Sequence, residues 1–323
     1  MSGPHEPGNF RCEQSNETVA MDNKTKQGGH AMNAEPGDLD VSQLAGQIDP
    51  RNKLNDLTAS EWITRTVSVM VQKGLGKGSK EAQIERQHPA PFSYQDVARF
   101  IEFFTKRGET VLDPFSGVGS TSKAAASVGR NSTGFELNPT FFDLTKKRLQ
   151  TEVSSELLAA TRHDIMLGDA RSLAREIPEK SVDFIVTSPP YWGILNKIDH
   201  KAKQERLQNG LSHNYGETEA DLAHIEDYDD FLSEIGQLFF DLSRALKPKK
   251  YAVVIVGDFR NKDRYYLFHS DLSRRIEELG PYTLKGVTII YQKFKRVFPY
   301  GYPFAFVPNI HHQYAMILQR HDD

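Results

Sequence analysis

The chain has 323 residues, 38% of them hydrophobic, and a formal net charge of −3. No run of about 18 apolar residues predicts a membrane span, and no charged-then-apolar start resembles a signal peptide. The single cysteine, Cys12, excludes an internal disulfide and favours a reducing, cytoplasmic compartment. Nucleic-acid binding stays open, because a local basic face can coexist with a net charge near zero.

The first fifty residues differ in composition from the rest of the chain. They contain three Lys or Arg against eight Asp or Glu, and almost no aromatic residues. Such a segment cannot bury enough apolar surface to offset the entropy of ordering it. We therefore expect residues 1–51 to form a disordered tail and residues 52–323 to form a single domain, which is long enough to bury an adequate core.

Secondary-structure patterns begin at about residue 52. Apolar residues between Leu54 and Val71 recur at roughly helical spacing, and Thr58 to Ser60 form a plausible N-cap region. The glycine- and lysine-rich residues 73–87 predict a mobile loop. Beyond it, strand patterns alternate with helical patterns. Strands are predicted at residues 110–115, 132–137, 165–168, 182–187, 251–256, 283–291 and 314–318, and helices at residues 92–105, 121–127, 139–152, 173–176 and 228–246.

This alternation predicts an α/β fold. It suits a mostly parallel, seven-stranded Rossmann-like sheet with one reversed strand and helices on both faces, because the last two strands are adjacent in sequence. The interval 192–226 is rich in Lys, His, Asn and Gln and has few core-forming positions. Since connections of this length are usually functional or disordered, we expect this interval to form an insertion that contacts the substrate.

A glycine turn follows the first predicted strand, in the run Asp113-Pro114-Phe115-Ser116-Gly117-Val118-Gly119-Ser120. Gly117 and Gly119 permit a positive φ and a close approach of backbone to ligand, and the next helix would present its first amides there. A dinucleotide fingerprint fails because residue 122 is Ser, and a phosphate-binding loop fails for lack of its Lys. An adenosine that carries a methionine tail needs fewer glycines, and Asp113 could pair with the ammonium of that ligand.

Two further carboxylates end the next two predicted strands. Glu136 could accept hydrogen bonds from both ribose hydroxyls, which is the role of an acid at this position in nicotinamide enzymes. Asp169 could accept a hydrogen bond from an adenine amino group. The alternative reading is that both residues only cap helices or lie in solvated turns. Three successive strand ends that carry a carboxylate favour the cofactor reading.

The run Thr187-Ser188-Pro189-Pro190-Tyr191 ends the fourth predicted strand. Exocyclic amines of nucleobases are poor nucleophiles, and carbonyl oxygens held in place by two prolines can accept hydrogen bonds from them. Ser188 could supply another acceptor, and Tyr191 a face on which the base stacks. The alternative is a Pro-Pro turn with Tyr191 packed beneath it. Methylation at ring carbon 5 of a pyrimidine is excluded, because Cys12 is the only cysteine.

A base inside a duplex cannot reach such a strand end, so the target would be flipped out or already single-stranded. Backbone contacts would come from basic residues. Two segments are candidates, and either could instead be a solvated face: Lys197, His200, Lys201, Lys203 and Arg206 in the long interval, and Lys293, Lys295 and Arg296 further on. No metal site is expected, since His311 and His312 have no third ligand at a suitable spacing.

These motifs resemble those of the amino-group DNA methyltransferases, which share a core that depends on S-adenosyl-L-methionine. Residues 88–92 are similar to the family segment that packs against the methionine end of the cofactor, residues 113–119 to its glycine motif, and residues 187–191 to its catalytic motif. Residues 297–303 and 307–309 resemble a C-terminal signature of the same group. The resemblance spans residues 54–320 and implies the class I methyltransferase form of the Rossmann-like fold. The expected cofactor-binding residues are His88, Pro89, Phe92, Asp113, Pro114, Phe115, Ser116, Gly117, Gly119, Ser120, Thr121, Glu136, Asp169 and Ala170, and the expected catalytic residues are Ser188, Pro189, Pro190 and Tyr191.

A serine that opens the catalytic motif is typical of enzymes that make N4-methylcytosine. The resemblance therefore implies a site-specific DNA methyltransferase in the cytoplasm at the nucleoid, either an orphan or the companion of a restriction endonuclease. The motif order departs from the pattern, because in many N4-cytosine enzymes the catalytic motif precedes the glycine motif. N6-adenine methylation, methylation of RNA or of a protein amide, and a nucleic-acid-binding module without activity stay open as alternatives.

Overall fold

The computed structural model describes residues 46–73, 82–85, 87–88, 92–193 and 220–321, all within one compact unit, Val41–Asp323. Most of the predicted tail, including Cys12, lies outside the described residues. The same holds for residues 194–219, which include Lys197, His200, Lys201, Lys203 and Arg206, and for Pro89. The expectations for these residues stay predictions.

An eight-stranded sheet forms the centre of the unit. Its strands stand in the order β1-β9-β10-β6-β5-β2-β3-β4, and β10 runs antiparallel to both of its neighbours, whereas the other neighbouring strands pair in parallel. A hairpin of β7 and β8 stands apart from this sheet. The strands are β1 (Val69–Val71), β2 (Thr110–Asp113), β3 (Asn131–Glu136), β4 (His163–Leu167), β5 (Val182–Thr187), β6 (Leu246–Val256), β7 (Phe259–Asn261), β8 (Arg264–Tyr266), β9 (Tyr282–Tyr291) and β10 (His312–Arg320).

Helices connect most of these strands. They are α1 (Ala59–Arg65), α2 (Ala82–Glu85), α3 (Tyr94–Phe104), α4 (Ser120–Ser127), α5 (Pro139–Glu152), α6 (Ser155–Ala160), α7 (Ala170–Leu173), α8 (Tyr228–Ser243) and α9 (Phe268–Leu279), and a 3₁₀ turn covers Leu222–His224. None of the described helices has the length and apolar character that crossing a bilayer would require.

Side chains of the sheet alternate between two apolar layers, as the pleat of a strand requires. On β5, Phe184 and Val186 pack with α3, while Ile185 packs with α8 and α9 on the opposite face. All six residues of β5 are buried, which is characteristic of a parallel strand covered on both faces. The predicted α/β fold with one reversed strand and helices on both faces is therefore confirmed.

The segment before the first predicted strand differs from the expectation. The apolar spacing between Leu54 and Val71 indicated helix throughout, but α1 ends at Arg65 and residues 69–71 form β1, which pairs with β9 in parallel. Val67, Val69 and Val71 are β-branched, which favours an extended chain over a helix. The sheet thus has eight strands rather than the seven predicted.

Candidate active site

A cleft opens where parallel strands β2 to β5 end. Because the carboxyl ends of parallel strands meet at one edge of a sheet, the residues that follow them converge there. We call it the strand-end cleft, and it is lined by His88, Pro114, Phe115, Gly117, Phe135, Glu136, Leu137, Asn138, Gly168, Asp169, Ala170, Ser188, Pro190, Ala220, Asp221 and Leu222. Part of the glycine turn, two of the three predicted strand-end carboxylates and two of the four predicted catalytic residues therefore share one cavity.

The glycine turn has the conformation that the sequence predicts. Gly117 and Gly119 have φ angles of 54° and 76°, a region that side-chain-bearing residues rarely adopt. A Cβ atom at Gly117 would lie 3.1 Å from Nε2 of His88, and one at Gly119 would lie 2.5 Å from Cγ2 of Thr145 on α5. Gly117 therefore lets His88 reach the cleft, while Gly119 lets α5 pack against the turn.

Asp113 does not have the position that the sequence suggested. Its side chain is buried and accepts hydrogen bonds from the hydroxyls of Thr121 and Thr187, at 2.5 and 2.6 Å, and from the backbone N–H of Phe115. Burial raises the pKa of this carboxyl to about 6. Asp113 is not among the residues that line the cleft, so a direct pairing with a ligand ammonium is not what this geometry offers. It ties the ends of β2 and β5 to the start of α4 instead.

Glu136 lies at the end of β3 with its carboxylate at the cleft. The residue is only 9% exposed, and one oxygen accepts a hydrogen bond from the backbone N–H of Asn138 at 2.8 Å. Burial raises the pKa of Glu136 to about 7, against the lowering effect of backbone hydrogen bonds such as that of Asn138. A buried carboxylate that faces a cleft is suited to accept hydrogen bonds from ligand hydroxyls, since such donors offset the cost of burying its charge.

The position of Asp169 is compatible with both of the roles that the sequence left open. It caps α7 by accepting a hydrogen bond from the backbone N–H of Arg171, and it also lines the cleft. Its carboxylate binds the Arg171 guanidinium at 2.7 Å, and Glu234 holds the other side of that guanidinium at 2.9 Å. Burial alone would raise the pKa of Asp169, but the hydrogen bonds from Arg171 outweigh it and hold the pKa below its ordinary value.

The Ser-Pro-Pro-Tyr run follows β5 at the same edge of the sheet. Ser188 and Pro190 line the strand-end cleft, and Pro189 between them is buried. The hydroxyl of Tyr191 accepts a hydrogen bond from the backbone N–H of Gly257 at 2.9 Å, which fixes the tyrosine to the end of β6. Its ring packs against Phe268 on α9, with ring centroids 6.0 Å apart. Tyr191 therefore faces away from the strand-end cleft.

A second cavity lies beside Tyr191, and we call it the aromatic cleft. It is lined by Tyr191, Gly257, Asp258, Phe259, Arg260, Tyr265, Gln292, Lys295, Arg296, Phe298, Tyr300, Pro308, Asn309, Ile310, His312 and Gln313. Lys295 and Arg296, which the sequence predicts to contact nucleic acid, thus lie in a cavity with the predicted catalytic tyrosine. Lys293 is exposed on the same segment but does not line the cavity.

Several expected cofactor residues lie behind the strand-end cleft. Phe92 belongs to the apolar layer under α3 and is 8% exposed. Ser116, Ser120 and Thr121 are buried and do not line the cleft; Ser120 accepts a hydrogen bond from Arg148 at 3.0 Å. These residues support the glycine turn from inside and do not contact the cavity. A sequence motif includes inward-facing and outward-facing residues alike, so it does not show which of them line the cleft.

Three residues that line the cleft were not among the site residues that the sequence predicted. Ala220, Asp221 and Leu222 lie about thirty residues beyond Pro190 in the chain, yet they line the same cavity. Asp221 caps the 3₁₀ turn by accepting a hydrogen bond from the backbone N–H of Ala223, and burial raises the pKa of its carboxyl. An acid directly before Leu222 and Ala223 is an N-cap pattern that could have indicated the turn, but not its place at the cleft.

No group of three or more His, Cys, Asp or Glu side chains that could hold a metal ion occurs among the described residues. His312 donates to or accepts from the hydroxyl of Tyr314 at 2.8 Å, within β10.

Comparison with known proteins gives a partial match. A family model described as "DNA methylase" matches residues 2–147. Type II methyltransferase M.MthZI of Methanothermobacter thermautotrophicus is 37% identical over 81 residues, which are 24% of this chain and 23% of that protein. Type II methyltransferase M.BglI of Bacillus subtilis is 32% identical over 101 residues, which are 31% of this chain and 26% of that protein. The chain spans about a quarter of the length of these curated relatives.

A solved structure of TTHA0409, a putative DNA modification methylase from Thermus thermophilus complexed with S-adenosyl-L-methionine, is also similar. The two chains are 26% identical, the match covers 48% of this chain and 54% of that one, and the TM-score is 0.33. The family model matches fewer than half of the residues of this chain, so the likeness to DNA methylases covers only part of it.

Proposed function

We propose that this chain transfers a methyl group from S-adenosyl-L-methionine to the exocyclic amine of a nucleobase in DNA. The observation that carries the proposal is that Ser188 and Pro190 line the same cleft as Gly117, Glu136 and Asp169. The carboxyl end of β5, where several oxygen acceptors are found, thus lies at a pocket lined with carboxylates. Transfer between two molecules is fast only when both reacting groups are held together, and the strand-end cleft would hold both of them.

The residues of the strand-end cleft fit an adenosine with a methionine tail. Glu136 is buried at the cleft and would accept hydrogen bonds from the two ribose hydroxyls, and Asp169 would accept one from the adenine amino group. Gly117 and His88 form another part of the lining, where the methionine portion would lie. When bound, S-adenosyl-L-methionine supplies an electrophilic methyl group carried on a sulfonium.

The acceptor amine would be held by Ser188 and the carbonyl groups of the two prolines. Hydrogen bonds accepted from its two protons shift the nitrogen lone pair out of the ring system, so that it can attack. Once methylated, the nitrogen is cationic and acidic, and a weak acceptor is sufficient to receive the proton. No strongly basic side chain is needed, and none of the lysines or arginines described lines the strand-end cleft.

The aromatic cleft would receive the extruded base and the backbone near it. Phe298 and Tyr300 offer ring faces, and Lys295 and Arg296 offer positive charge in the same cavity. The Tyr191 hydroxyl accepts a hydrogen bond from Gly257, so the ring of Tyr191 has a defined place in the aromatic cleft. A base that enters past Tyr191 would meet Ser188 at the strand-end cleft.

For the target base we propose cytosine, with methylation at N4, because Ser188 opens the catalytic motif. The second candidate is N6 of adenine, which the motif order favours, because the glycine motif precedes the catalytic motif. The test is to incubate the purified chain with S-adenosyl-L-methionine and DNA, digest the DNA to nucleosides and identify the methylated one by mass spectrometry. N4-methylcytosine is expected, with at least tenfold slower formation by Ser188→Ala. N6-methyladenine would move the proposal to its second candidate, and no methylated nucleoside would refute it.

We further propose a context for the activity. The catalytic domain would span residues 52–323, with residues 192–226 as a target-contacting insertion, and the reaction would be specific for one DNA sequence. Binding to DNA would place the chain at the nucleoid. A restriction endonuclease with the same recognition sequence would be its functional companion, which the Type II designation of several relatives favours.

A further inference from the structure

The β7–β8 hairpin carries basic residues that the sequence did not single out. Three positive side chains, Arg260, Lys262 and Arg264, are all exposed, and Asp263 is the only acidic residue between Phe259 and Tyr266. The strands pair as Phe259 with Tyr266, Arg260 with Tyr265 and Asn261 with Arg264, so residues 262 and 263 form the tip. The hairpin is therefore a short arm with an excess of positive charge.

The base of this arm is fixed to the catalytic motif. The rings of Phe259 and Tyr266 are stacked 5.2 Å apart, and Phe259 also contacts Phe268 at 5.6 Å. Trp192, the residue after Tyr191, packs its ring 5.4 Å from Tyr266. Aromatic contacts of this kind give a well-defined geometry, so the position of the arm relative to Tyr191 is set by packing.

The alternation of side chains places the two arginines on opposite faces of the arm. Arg260 and Tyr265 share a face and line the aromatic cleft with Tyr191. Arg264 lies on the other face, where its guanidinium stacks over the ring of Tyr266 at 4.9 Å and lines a separate cavity with five acidic residues. Of the two arginines, only Arg260 therefore faces the aromatic cleft, where its planar guanidinium can form bidentate hydrogen bonds with phosphate.

Exposed arginines without an ion pair are concentrated here. Within the described ranges, only four exposed arginines form no ion pair with a carboxylate: Arg107, Arg260, Arg264 and Arg296. Three of these four lie on the hairpin or in the aromatic cleft. Exposed arginines elsewhere, such as Arg162, Arg175 and Arg274, have an acidic partner within 4.0 Å. Cations left unpaired on a fixed arm are available for an anionic partner.

We propose that the β7–β8 hairpin grips the phosphate backbone of the DNA beside the extruded base, through Arg260 and Lys262. This inference rests on the proposed function for the identity of the substrate. The charge of the arm, its attachment beside Tyr191 and the place of Arg260 in the aromatic cleft fit a polyanion that passes that cleft. These contacts fix the position of the backbone and carry no base sequence information.

The test compares the double variant R260Q/K262Q with the wild-type chain. Each phosphate contact contributes about 0.9 to the slope of log K against log salt concentration for duplex DNA, so the slope should fall by about 2 in the variant. The Michaelis constant for DNA should rise at least tenfold, with kcat at saturating DNA retained. Affinity for S-adenosylhomocysteine, measured by calorimetry, should stay within twofold, because the hairpin does not line the strand-end cleft.

Two controls separate this inference from other causes. The variant K53Q/K285Q removes the same charge from exposed lysines away from the hairpin, and R260K keeps the charge of the arm; both should retain most of the wild-type salt slope. A double hairpin variant with unchanged slope and DNA affinity, while the wild type methylates DNA, would overturn the hairpin inference alone. A wild-type chain that neither binds nor methylates DNA would overturn both proposals. A slope loss equal to that of the lysine control would show net charge as the cause and would also overturn the inference.

Discussion

Binding of the cofactor should depend on pH through Glu136. The pKa of this buried carboxyl is raised to about 7, whereas ribose hydroxyls bind its ionised form. With that pKa, about a tenth of the free protein has ionised Glu136 at pH 6 and about nine-tenths at pH 8, so affinity should rise about tenfold between them, or about 1.4 kcal/mol. Cofactor affinity rises with pH because the raised pKa of Glu136 favours the protonated form in the free protein at low pH.

Stability should show the opposite trend. Since the folded pKa of Glu136 lies above its ordinary value of 4.5, its contribution to stability is fully present below that value. It is lost as pH rises through about 7. The free protein should therefore lose stability between pH 5 and 8, while the stabilisation by bound cofactor grows over the same range.

The assay is isothermal titration calorimetry with S-adenosylhomocysteine at half-unit steps from pH 6 to 8. Glu136→Gln should bind more weakly at pH 8 and lose most of the pH dependence; the part that remains measures the titration of the ligand and of Asp113, whose pKa is raised to about 6. Asp169→Asn is the matched control, because the pKa of Asp169 is held low and the group stays ionised throughout. This variant should weaken binding about equally at all pH values. A wild-type affinity that does not change with pH, or an equal slope in Glu136→Gln, would refute the reasoning.

Three further predictions concern turnover, stability and the first fifty residues. Ser188→Ala and Tyr191→Ala should each lower kcat at least tenfold in a methyl-transfer assay, with S-adenosylhomocysteine affinity within twofold; equal losses in both quantities would contradict a catalytic role. Gly119→Ala should cost about 2 to 4 kcal/mol in denaturant unfolding, from backbone strain and the contact with α5, whereas Gly108→Ala, with open space around it, should cost only the strain of about 1 kcal/mol; similar losses would refute the packing argument. Deletion of residues 1–50 should leave activity and melting temperature unchanged, and a large drop in either would show that this segment packs on the domain.

Local sequence patterns predicted both ends of β5 and of α5 correctly. The run Thr187-Ser188-Pro189 ends β5 directly after the apolar residues 184–186, and Asn138-Pro139 begins α5 with an N-cap and a first-turn proline. Elements with weaker local signals were missed. Helix α9 follows Leu267, which provides no side-chain cap, and the β7–β8 hairpin has only three residues per strand. Both are stabilised by aromatic packing around Phe259 and Phe268, which no local pattern reveals.

The order of motifs along the chain determined the fold class, the glycine turn and two carboxylates at the cleft, because each depends on residues adjacent in sequence. Tertiary structure decided which side chains reach the surface of that cleft. Asp113 and Thr121 bind each other and are buried, whereas Asp221 and Arg260 reach the clefts from distant segments. The physical reason is that burial and ion pairing are set by what packs against a residue, and those neighbours come from other strands and helices.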